Sequence, residues 1–99
     1  MSIKKHQTTS ISVVAFDRIS PFHLAVPCVV FGESHPGCPE FDFKVCVAES
    51  GRICTSGGFD IAVRYGLSAL KTADIIIVPS WRDIAEKPPK ALLKALSAA

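Results

Sequence analysis

The groups in this chain most able to do chemistry are four thiols, at Cys28, Cys38, Cys46 and Cys54, and the imidazoles of His23 and His35. No two cysteines form a C-x-x-C pair, and nothing marks a secretory context, so free thiols are expected. His35-Pro36-Gly37-Cys38 could offer two metal ligands, but a closed site needs three or four converging donors. The other cysteines have no ligand spacing around them, so the segment reads as ordinary loop and no metal or cofactor is expected. Cys28 lies on an apolar helical stretch, Cys46 in mid-strand and Cys54 in a hairpin. Such cysteines read as small buried hydrophobes, and no catalytic residue is assigned. Ser56-Gly57-Gly58 lacks the spacing of a phosphate loop and leads into no helix, so it reads as a hairpin turn. Asp17 lacks the acidic cluster of a phosphoacceptor and reads as a loop residue. Pro79-Ser80-Trp81 follows an apolar strand, at the edge of an open α/β sheet where ligands bind.

These groups depend on the elements that carry them. Residues 1–10 read as a mobile polar tail. Residues 11–16 are rich in β-branched side chains and read as a strand buried on both faces. Ser20-Pro21 opens a helix, with serine as N-cap and proline at its first position. Phe22, Ala25, Val26, Val29 and Val30 then recur at helical spacing. Pro27 should kink that helix or break its hydrogen bonding, and Gly32 marks its end. Residues 34–39 are a loop. Residues 41–48 alternate as a half-buried strand, with Phe41, Phe43, Val45 and Val47 on one face and Asp42, Lys44 and Cys46 on the other. Residues 52–55 and 59–63 form a hairpin, 67–72 a short helix and 74–78 a buried strand. Pro88-Pro89 precedes a last helix, from Lys90 to Ala98, with Leu92, Leu93 and Leu96 as its apolar stripe. The alternation predicts a three-layer α/β fold: a mainly parallel sheet, helices on both faces and an antiparallel excursion in the middle. A helix after a parallel strand normally leads to another strand, so the domain is expected to be truncated, with residues 11–99 its front part.

Composition narrows the classes. Hydrophobic residues make up 48% and charged residues 20% of the 99, which fits a globular chain and excludes a disordered one. Net charge is +2. Arg82, Lys87, Lys90 and Lys94 form the nearest thing to a basic patch. They read as a solvated helix face, with no aromatic-basic stripe to bind nucleic acid. No apolar run suits a signal peptide or a membrane span, so a cytoplasmic location is expected. An incomplete sheet leaves an open edge, so the lone monomer is expected to be poorly stable.

Several stretches together resemble a known family: Val13-Val14-Ala15-Phe16-Asp17, Ser20-Pro21-Phe22, Val30-Phe31-Gly32, Phe43-Lys44-Val45-Cys46-Val47-Ala48-Glu49, Ser56-Gly57-Gly58-Phe59 and Asp74-Ile75-Ile76-Ile77-Val78-Pro79. Their order and spacing resemble the N-terminal half of the ThiJ/PfpI domain, of the class I glutamine amidotransferase-like, broadly flavodoxin-like fold. The run Trp81-Arg82-Asp83 and the last helix are most similar to the sensor domain of FtrA-type regulators of the AraC family. The resemblance implies a transcription regulator as the parent protein, with its nucleophile elbow and helix-turn-helix DNA-binding domain lying beyond this chain.

The resemblance also implies site residues. His23 stands where an acidic side chain usually supports the nucleophile, and imidazole could do related work; the simpler reading is a partly exposed helix histidine. Pro79-Ser80-Trp81 replaces a Pro-Gly-Gly turn whose backbone N–H groups bind an oxyanion. Ser80 and Trp81 put that hole in doubt and suggest a pocket wall; the plainer reading is a tryptophan packed on the last helix. The pocket candidates are thus His23, Ser80 and Trp81. The implied function is non-catalytic sensing of a small-molecule effector, by a homodimer that meets DNA only through the missing domain. The enzymatic alternative is a ThiJ/PfpI cysteine hydrolase, deglycase or amidase whose nucleophile lies past residue 99. A short remnant pairing its open edge with a second copy is the structural alternative.

Overall fold

The computed structural model describes residues 8–48, 51–79 and 90–98. The elements in chain order are β1 (Ser10–Ala15), α1 (Pro21–Gly32), β2 (Asp42–Val47), β3 (Arg52–Cys54), β4 (Asp60–Ala62), β5 (Tyr65–Gly66), a 3-10 helix (Leu67–Thr72), β6 (Ile75–Ile77) and α2 (Lys90–Ala98). Four strands form one sheet in the order β5-β2-β1-β6, and β3 pairs with β4 separately. All neighbours in the larger sheet run parallel, and β3 and β4 run antiparallel. This is a mainly parallel α/β arrangement, with the expected antiparallel excursion at β3–β4.

β1 is the centre. All six of its residues are buried, as the β-branched run predicts. It opens at Ser10, one residue inside the expected tail. Side chains alternate across the sheet. Val14 and Cys46 join Ala69, Leu70 and Leu92 on one face. Ala15 and Val47 join Phe16, Ile19 and Ile53 on the other. The 3-10 helix and α2 cover the first face, and α1 with the β3–β4 hairpin covers the second. β2 is therefore covered on both sides where Cys46 and Val47 lie, instead of half-buried throughout. Only its first residues keep the expected half-exposed character.

α1 departs most from expectation. Its stripe of Phe22, Val26, Val29 and Val30 faces outward, and Phe22 is 70% exposed. The more covered face is Leu24, Pro27, Cys28 and Phe31. Those positions also follow the i, i+3, i+4, i+7 rule. The helix carries two apolar stripes, and periodicity alone could not choose between them. Pro27 sits inside a helix that continues through it, so the chain stays helical there and only the hydrogen bond that its N–H would make is missing. Ser20 holds the N-cap position with extended backbone, but its side chain makes no capping bond. At the other end a Cβ on Gly32 would come within 2.9 Å of the Phe43 ring, so glycine lets the helix end close to β2. Because Phe22 meets solvent, Phe22→Glu in this 99-residue chain is expected to shift stability by less than about 0.5 kcal/mol. Urea denaturation measures it, and a loss of several kcal/mol would contradict the outward stripe.

β6 differs too. It was expected as a buried strand, but it spans three residues at the edge of the sheet, and Ile75 is 48% exposed. α2 forms as expected, although Leu93 turns outward while Leu92 is buried. Asp74 fixes the register of β6 on β1. Its N–H donates to the Ser10 carbonyl at 2.8 Å, and its carboxylate accepts the Ser10 N–H at 2.8 Å. Ser12, fully buried in β1, donates through its hydroxyl to the Ala69 carbonyl at 3.3 Å and ties the 3-10 helix down.

Thr55 organises the hairpin turn. Its N–H and its hydroxyl both donate to the Phe59 carbonyl, at 2.8 and 2.9 Å. The hydroxyl oxygen also accepts the Gly57 N–H at 3.2 Å. Gly58 closes the turn at φ +84, where a Cβ would be strained. Thr55 is 4% exposed, and Thr55→Ala would remove both hydrogen bonds made by its hydroxyl. The expected cost is about 1–3 kcal/mol, read from the urea midpoint, with Thr55→Ser retaining most of the stability.

Candidate functional site

The strand order places a natural binding position. From β1 the chain crosses to β2 on one side and later returns to β6 on the other. Open α/β sheets bind ligands at such a switch point, outside the carboxyl ends of the strands. α1 leaves the end of β1 there, and residues 78–79 leave the end of β6.

A cavity of about 320 Å³ lies there, lined by His23, Val26, Pro27, Val30 and Phe31 of α1 and by Ile77 and Pro79. The volume is near the lower end of the range for small-molecule sites, about 300–1,000 Å³. His23 is exposed, in edge contact with Phe22 at 5.9 Å between ring centroids. Pro27 has no N–H to offer the His23 carbonyl four residues back. The arrangement can bind an apolar group and offer it one imidazole. Ser80 and Trp81 lie outside the described residues, immediately after Pro79. The structure thus brings His23 together with the residue before that pair.

None of the shifted thiols is activated. Burial pushes the Cys46 thiol up to about 11. Burial, and then the Glu33 charge, raise Cys28. Hydrogen bonding to Asp60 raises Cys54, helped by a little desolvation and by the charges of Asp60 and Asp17. A nucleophilic thiol needs the opposite shift. Cys46 is the buried hydrophobe that its strand position predicts. Cys54, expected to be buried as well, is exposed, because β3 belongs to a two-stranded ribbon covered on one side.

The remaining polar groups hold the frame. Asp17 accepts the Cys54 N–H at 2.8 Å and so docks the hairpin on the end of β1. His35 Nε2 lies 2.6 Å from the Val29 carbonyl. A carbonyl can only accept, so Nε2 carries the proton and donates. The Cys38 N–H returns to the His35 carbonyl at 3.1 Å, making the loop a turn at the end of α1. Among the described residues no three His, Cys, Asp or Glu side chains gather where they could share a metal ion. Lys90 and Lys94 are exposed on α2, while Arg82 and Lys87 lie outside the described residues. No helix among the described residues is long and apolar enough to cross a membrane.

Sequence reasoning missed the pairing of α1 with β6 across this cavity, and the roles of Asp74 and Thr55. Thr55 had a local signal, a threonine just ahead of Ser-Gly-Gly. Asp74 had none, since its partner is 64 residues away. Set against known proteins, the chain matches no family model, no curated protein and no solved structure.

Proposed function

We propose that this chain is the first part of the ligand-sensing domain of an AraC-type transcription regulator, binding a small-molecule effector without transforming it. The observation that carries the reading is the meeting of His23, Ile77 and Pro79 around one apolar cavity at the switch point of the sheet. Apart from β5, which adds a strand beyond β2, the β2-β1-β6 order also matches the first three strands of the 2-1-3-4-5 order of flavodoxin-like sheets. In a complete class I glutamine amidotransferase-like sheet the next strand would pair with the open edge of β6 and cover Ile75. The regulator part of the reading rests on the stretches that resemble the FtrA-type sensors, and Ser80 and Trp81 complete the pocket wall in it. DNA contact then belongs to a separate helix-turn-helix domain, and the working unit is a cytoplasmic homodimer.

The test is the intact mass of the natively expressed protein, paired with the reading frame past codon 99. A product several times 10.6 kDa that ends in two helix-turn-helix units is expected. A product of 10.6 kDa would overturn the reading, and so would a longer one carrying an elbow cysteine with a nearby histidine and no DNA-binding units.

A further inference from the structure

A second cavity lies on the opposite face of the sheet, between the 3-10 helix and α2. It encloses about 400 Å³, within the range of small-molecule sites, about 300–1,000 Å³. Leu67 and Leu70 form one wall, and Ala91, Ala95 and Ala98 form the other. The alanines stand at i, i+4 and i+7 and fall on one face of α2. Leu92, buried in the core beneath, seats the helix on the sheet. The space stays open because the α2 wall carries only methyl groups.

Two cations border this apolar space. Lys71 comes from the 3-10 helix and Lys94 from α2. Both are exposed, and among the described residues no carboxylate lines the space. Lys44, by contrast, is paired with Asp42, elsewhere on the sheet. A lysine lays its alkyl stem along apolar surface and keeps its ammonium free to meet an anion. Among the described residues the walls offer no aromatic face for stacking, and Ser68 supplies the one lining hydroxyl. A flat aromatic ligand or a sugar would find few partners here. An alkyl chain ending in a carboxylate matches both the walls and the rim.

We propose that this groove binds a single unbranched alkyl carboxylate of the fatty-acid type, with the chain between the 3-10 helix and α2 and the headgroup between Lys71 and Lys94. The site is independent of the regulator reading, since it uses none of the residues around His23.

Calorimetric titration of the natively expressed protein with dodecanoate, decanoate and dodecanol, each as free monomer, tests it. Dodecanoate is expected to bind, with each methylene removed weakening affinity about fourfold. Dodecanol is expected to bind about tenfold more weakly than the acid. The double variant Lys71→Gln, Lys94→Gln should lose the preference for acid over alcohol and keep the dependence on chain length. Ala91→Phe, at an exposed position, should fill the groove and abolish binding with the circular dichroism spectrum unchanged. Absence of dodecanoate binding would overturn the proposal. So would equal affinity for the two acids, full binding by folded Ala91→Phe, or binding seen only with vesicles of anionic lipid.

Discussion

Leu70→Ala is expected to cost about 2–5 kcal/mol of folding stability, a large share of the roughly 5–15 kcal/mol of a typical domain. Leu70 is 1% exposed and packs with Val14, Cys46, Ala69 and Leu92. It is the side chain of the 3-10 helix that reaches deepest toward the sheet. The Ser12 hydroxyl holds the backbone of that helix at Ala69, so the helix cannot settle freely into the space alanine leaves. An unfilled cavity then adds to the lost burial. In urea the midpoint should fall steeply, with circular dichroism and intrinsic fluorescence moving together. A change below about 1 kcal/mol would show that the layer formed by this helix and α2 contributes little to the fold.

Alkaline pH gives the other large effect. Cys46 is fully buried, and burial moves its thiol from the ordinary 9.0 to about 11. Below pH 9 the folded and unfolded chains both keep this proton, and the group leaves stability unchanged. Between pH 9 and 11 the unfolded chain releases it and the folded chain holds it. Stability then falls as pH rises, by about 3 kcal/mol at most for a shift of this size. Above the folded value the loss levels off. Cys46→Ala removes this contribution while the other titrating groups stay the same. Urea midpoints at pH 8, 9, 10 and 11 should therefore fall more steeply for the natural chain than for the variant. Parallel slopes would mean that the thiolate escapes burial.

Much of the frame could be read from the residues. The β-branched run of β1, the alternation of β2 and the leucine spacing of α2 each carry their own period. The glycine pair before Phe59 marks the hairpin turn. What could not be read depends on tertiary partners. β5 is two residues long, too short to show any period. Which stripe of α1 turns inward depends on what it meets, and both stripes are apolar. The exposure of Ile75 follows from the place of β6 at the sheet edge, which an apolar run does not reveal. For the site, His23 was legible as a candidate, but its closeness to Ile77 and Pro79 required the parallel pairing of β1 with β6. The groove beside Lys94 was hidden because alanines show no distinctive pattern, and the lysine reads as ordinary helix surface.

The alternation of β1 between two cores bears on how this sequence can drift. An exchange at Val14 affects the core beneath the 3-10 helix and α2, and an exchange at Ala15 affects the one beneath α1 and the hairpin. Each is a separate event with its own cost. Loss or gain of one residue inside residues 10–15 is different in kind. It would turn every later side chain of the strand to the opposite face and disturb the pairing with β2 and β6 together. Natural variants of this stretch should therefore differ by replacement, while changes in length collect in the 34–39 loop.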